Sequence, residues 1–89
     1  MRIIIHAHAR EHGLSDEQIT CAYETGYTSA VTRKRDWHGE PPRWAMIGFD
    51  RQAREIKLAF VQLNGQTVLI FHANYATKGF KREMEEARR

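Results

Sequence analysis

His72 and Lys57 stand at matching distances from an Asn64-Gly65 dipeptide, which is flanked by two runs rich in strand-forming residues, Leu58 to Leu63 and Gln66 to His72. Asn-Gly is the pair best suited to a two-residue hairpin turn. Counting outwards from it sets Leu63 against Gln66, Val61 against Val68, Leu58 against Phe71 and Lys57 against His72. An imidazole changes charge near neutrality and serves as acid or base, and a cation beside it would stabilise developing negative charge. The plainer alternative is a strand histidine satisfied by a neighbour and a solvated lysine. Arg43 opens another strand-like run and could hold a phosphate bidentately, or pair with Glu40 or Asp36. Glu40 is itself a candidate base. Lys78 and Arg82 lie one helical turn apart and suit either a polyanion backbone or a solvated helix face. Trp44 and Tyr75 could stack on exposed bases, although a tryptophan in a strand is also a core residue.

These residues need elements to position them. Arg2 to Ile5 is a β-branched run, and His8 to His12 reads as a helical turn closed by Gly13. Ser15-Asp16-Glu17-Gln18 forms a capping box flanked by Leu14 and Ile19, which starts a helix burying Ile19, Ala22 and Tyr23 and ending near Thr25, with Gly26 left-handed. Tyr27 to Arg35 reads as a strand. Asp36 to Pro42 is a loop, because two prolines and a glycine exclude regular structure. Arg43 to Phe49 and a run beginning near Arg54 follow, joined tightly through Asp50. Thr77 caps a final helix with Phe80, Met84 and Ala87 on one face.

Alternation along the strands gives Leu58, Phe60, Leu69 and Phe71 a core face. The opposite face carries Lys57, Ala59, Val61, Val68, Ile70 and His72. Pairing Phe49 with Arg54 adds Ala45 and Ile47 to the core face and Trp44 and Met46 to the face with Lys57 and His72. The expected fold is α+β: an N-terminal strand, two short helices, a four-stranded antiparallel meander and a C-terminal helix, in one domain over residues 1–89.

Composition narrows the function. With 42% hydrophobic and 28% charged residues the 89-residue chain has the balance of a globular domain. The single Cys21 excludes an internal disulfide and a cysteine metal cluster, and a reducing cytoplasm is the expected home. Ile3-Ile4-Ile5 is too short for a membrane segment. A net charge of +3 permits a polyanionic partner. Of the five histidines, His6 and His8 would share a face if the strand continued and His12 follows His8 at usable zinc spacing, but no acidic or cysteine ligand is fixed nearby, so neither a metal site nor a cofactor is expected.

Several fragments together resemble the BrnT branch of the RelE-like toxin superfamily, small ribonucleases of bacterial type II toxin-antitoxin systems. They are His12-Gly13-Leu14-Ser15, His38-Gly39-Glu40, Arg43-Trp44-Ala45-Met46-Ile47-Gly48, Asp50, the Asn-Gly hairpin, and Ala73 to Thr77 leading into the basic last helix. The resemblance implies metal-independent RNA cleavage on an open sheet face and neutralisation by a cognate antitoxin protein. It points by position to Glu40, Arg43, His72, Thr77, Lys78 and Arg82. Two departures, Pro41-Pro42 between Glu40 and Arg43 and Asn74-Tyr75 in place of basic residues, favour a second expectation: a non-catalytic module of the same fold binding a protein or nucleic acid.

Overall fold

A computed structural model of the chain describes residues 1–26, 30–32 and 41–87. Five strands form one sheet in the order β1-β5-β4-β3-β2: β1 (Arg2–Ile5), β2 (Val31–Thr32), β3 (Arg43–Phe49), β4 (Glu55–Asn64) and β5 (Thr67–Tyr75). The α+β class and the antiparallel run of β2 to β5 match expectation. β1 makes the sheet mixed by pairing in parallel with β5, Ile3 beside Val68 and Ile5 beside Ile70. A 3₁₀ turn (Ala7–Arg10) leads through Gly13, whose positive φ needs a residue without a Cβ, to helix α1 (Asp16–Glu24). The Ser15 hydroxyl accepts from the Gln18 N–H (3.1 Å) and the Gln18 side chain accepts from the Ser15 N–H (2.9 Å), which completes the capping box. Helix α2 (Lys78–Ala87) is capped by Thr77, whose hydroxyl accepts from the Phe80 N–H (3.1 Å).

The helices lie on opposite faces of the sheet, so it has two apolar faces. On the α1 face, Leu14, Ile19 and Ala22 pack against Met46, Ile56, Leu58, Phe60, Val68 and Ile70. Gly48 is the point of closest approach, where a Cβ would collide with the Ala22 carbonyl. On the α2 face, Phe80 and Met84 cover Ala45 and Ile47 with help from Val31 and Ala76, while Ala87 is exposed.

Both hairpins differ from the expected register by one residue, which reverses a strand's faces. In the β4–β5 hairpin Asn64 pairs with Thr67, because its side chain accepts from the Gln66 N–H (2.8 Å) and moves the turn onto Gly65-Gln66. Leu63 is then an extra residue in β4, and Phe60 faces Ile70. Val68 and Ile70 therefore enter the α1 core in place of Leu69 and Phe71. A second irregularity leaves Phe71 extra in β5, so that Ala59 faces His72 and Lys57 faces Asn74. The expected Lys57–His72 pair does not form.

Between β3 and β4 the loop is longer by one residue than Phe49 opposite Arg54 requires: Phe49 faces Glu55. The Asp50 N–H donates to the Arg54 carbonyl (3.1 Å) and Ala53 takes a left-handed φ of 61°, the geometry of a three-residue loop with its third residue reversed. Trp44 and Met46 consequently belong to the α1 face and Ala45 and Ile47 to the α2 face. Smaller corrections concern the first turn, which spans Ala7–Arg10 and not His8 to His12, and Gly26, which does not have positive φ. Its missing side chain leaves room for the Met46 sulfur instead.

Candidate functional site

α2 covers the β2–β3 half of its sheet face, and among the described residues the other half is left open. There, Val61 and Leu69 pair across β4 and β5, and the extra residue Phe71 adds its ring beside them. These three half-buried side chains floor a depression of about 410 Å³, rimmed by His6, His8, Pro41 and Arg43. Arg43 pairs with Val61 at the start of β3, and its guanidinium lies over the Phe71 ring at 5.5 Å. That contact supports the planar cation from below and leaves its donors directed elsewhere. Among the described residues no carboxylate lines the depression.

The two histidines arrive from the 3₁₀ turn. The His6 N–H extends β1 by donating to the Ile70 carbonyl (2.9 Å), which brings the following turn alongside β5. His6 caps that turn, its Nδ1 accepting from the His8 N–H at 3.0 Å. His8 Nδ1 lies 3.1 Å from Glu11 Oε1 one turn further on. The imidazole rings are 6.5 Å apart and both side chains reach solvent.

The expected site residues distribute unevenly. Arg43 reaches the depression. His72 shares the α2 face through its pairing with Ala59, but its ring meets His12 edge-on at 5.4 Å. Lys57 lies on the same face, with its ammonium over the Phe80 ring at 5.4 Å. Lys78 and Arg82 are exposed on α2 and Thr77 is its cap. Trp44 packs against the α1 core, as the plainer alternative had it. Glu40 lies outside the described residues. His6 and His8 were legible only as metal ligands, and among the described residues no cluster of three metal-ligating side chains forms.

Tyr75 belongs to a different polar cluster at the opposite end of β5's neighbour strand. There Asp50, 5% exposed, accepts from the Gln52 N–H (2.9 Å), the Arg54 N–H (3.0 Å), Arg54 Nε (2.7 Å) and Gln18 Nε2 (3.2 Å). Burial opposes ionisation, but these donors outweigh it and hold the carboxyl down at about 2. Gln18 also donates to the Tyr75 hydroxyl (3.3 Å), and Arg54 covers the Tyr75 ring at 5.4 Å. Arg54 thus holds one face of the Tyr75 ring. The cleft around Asp50 is lined by its partners Gln18, Gln52 and Arg54 and by the Arg51–Glu17 ion pair (3.0 Å).

Among the described residues no helix is long and apolar enough to cross a membrane. Comparison of the chain with family models, with curated proteins and with solved structures finds no match.

Proposed function

We propose that the chain is a metal-independent endoribonuclease, a BrnT-like toxin of the RelE superfamily, acting in the cytoplasm on the open half of its α2 sheet face and neutralised by an antitoxin protein that covers it. The observation that carries this reading is the apolar floor of Val61, Leu69 and Phe71 bordered by Arg43, His6 and His8. Single-stranded RNA presents flat bases and anionic phosphates at short intervals, and such a surface offers an aromatic ring and aliphatic groups to the first and a guanidinium to the second. Metal-free cleavage also needs a proton acceptor and stabilisation of a charged phosphorane, for which imidazole and Arg43 are the chemically suited groups. Lys78 and Arg82 would extend the contact along the RNA backbone.

Purified protein incubated with RNA in EDTA tests the reading: cleavage is expected, and Arg43→Ala should lower its rate by about 100-fold, the scale of losing one preorganised charge stabiliser. Intact RNA after incubation with the wild-type protein would overturn it. The second reading, a non-catalytic module binding RNA or a protein partner, draws on the separation of Lys57 from His72. It predicts RNA retention that falls on Arg43→Ala, with no cleavage by either protein.

A further inference from the structure

Resting on the ribonuclease reading, we infer that His8 is the general base of the reaction, positioned by Glu11, and that His6 beside it donates a hydrogen bond to the scissile phosphate. Glu11 Oε1 lies 3.1 Å from His8 Nδ1, and because a carboxylate can only accept, its neighbourhood favours the tautomer with the proton on Nδ1. In the neutral ring the lone pair then sits on Nε2. The opposite holds for His6. Its Nδ1 accepts from the His8 backbone N–H at 3.0 Å, which leaves the proton on Nε2. Two neighbouring imidazoles on the rim of one depression thus favour opposite tautomers, one presenting an acceptor and the other a donor. A carboxylate at the second nitrogen is one of the arrangements that orient an imidazole for acid–base catalysis.

The step balances without a cofactor. His8 Nε2 takes the proton of the ribose 2′-OH, and the 2′ oxygen forms a bond to phosphorus. His6 Nε2–H and the Arg43 guanidinium hold the non-bridging oxygens as charge accumulates. The bond from phosphorus to the 5′ oxygen breaks, and that oxygen takes a proton from water. The hydroxide formed is neutralised by the proton on His8. The products are a 2′,3′-cyclic phosphate and a 5′-hydroxyl. Glu11 touches no substrate atom and is a positioning residue.

Cleavage assays on the full chain, with ends identified chemically, are combined with ¹⁵N NMR of the histidine rings, which reports each tautomer directly. In the wild type the His8 ring should carry its proton on Nδ1 and the His6 ring on Nε2. His8→Ala, an exposed position, should remain folded by circular dichroism and cleave at least about 100-fold more slowly. Glu11→Ala should erase the Nδ1 preference of His8 and slow cleavage. Glu11→Gln, whose amide oxygen still accepts, should restore both in part. Wild-type cleavage that survives His8→Ala within twofold would overturn this assignment and leave the ribonuclease reading standing, whereas an inactive wild type overturns both. An unchanged His8 tautomer in Glu11→Ala would overturn the role of Glu11.

Discussion

The two faces of this sheet are built from similar residues and treated differently. On the α1 face, β3, β4 and β5 all contribute buried aliphatic side chains, and the helix sits so close that Gly48 has no room for a methyl group. On the α2 face, among the described residues, Ala45 and Ile47 are buried under the helix, while Val61, Leu69 and Phe71 stay half-exposed, with Arg43 over the Phe71 ring. Apolar groups left at a surface beside charged ones contribute little to folding and remain available to a ligand. Polar groups follow the same division. Near α1, the buried Asp50 is satisfied by four donors, whereas His6, His8 and Arg43 on the open face retain donor or acceptor capacity toward solvent. Stability is concentrated on one face, and chemistry has room on the other.

The sharpest way to break that contrast is Gly48→Ala. Its methyl group would meet backbone of α1, which cannot swing aside as a flexible side chain would. We expect a loss of about 3 kcal/mol or more in urea unfolding, at the upper end for overpacking. A loss below about 1 kcal/mol would mean that α1 does not seat on β3 as described.

Next in size is a pair of identical truncations. Leu58→Ala removes a side chain that is 1% exposed in the α1 core and should cost about 2 to 5 kcal/mol. Leu69→Ala removes the same atoms from the half-buried floor of the depression and should cost about 1 kcal/mol, since much of that surface is already wet in the folded state. The proposed function adds the opposite ranking for RNA binding: Leu69→Ala weakens it more. Equal losses of stability would show that the α2 face is as sealed as the other.

How far the two faces could be read in advance turns on the same hairpins. The capping box of Ser15 and Gln18, the cap at Thr77 and the bounds of β3 were legible, because each depends on residues within a few positions of one another. The assignment of side chains to faces was not. Asn64 accepts from the Gln66 N–H and shifts the turn by one residue, and the reversed Ala53 lengthens the other loop by one. Each one-residue change moves a whole strand's side chains across the sheet. This is why Trp44 left the open face, why Leu69 and Phe71 joined it, and why Lys57 and His72 separated. Arg43 keeps its place beside the open face because it stands at a strand end, where it remains exposed. The histidine rim was hidden for a different reason. His6 and His8 were legible only as candidate metal ligands, and it is the 3₁₀ turn that sets the His6 ring on the His8 N–H and the His8 ring 3.1 Å from Glu11.

The smallest effect concerns pH, and it separates the buried carboxylate from an exposed one. Asp50 is held at about 2, below the ordinary 3.8. A carboxyl whose folded value is depressed stabilises the fold above its unfolded value and ceases to do so as pH falls through its folded value. Its contribution should therefore be constant from pH 7 to about 5 and disappear between about 4 and 2. Asp16 is also lowered, first by its hydrogen bonds with the Arg10 guanidinium at 2.7 and 3.0 Å, but this pair is exposed. Salt screens exposed pairs far more than enclosed ones. Unfolding measured between pH 7 and 2 should consequently show an acid limb that Asp50→Asn flattens at both low and high salt, and that Asp16→Asn flattens, more weakly, only at low salt. An Asp50 contribution that vanished in high salt would place its carboxylate in solvent and remove the main polar difference between the two faces.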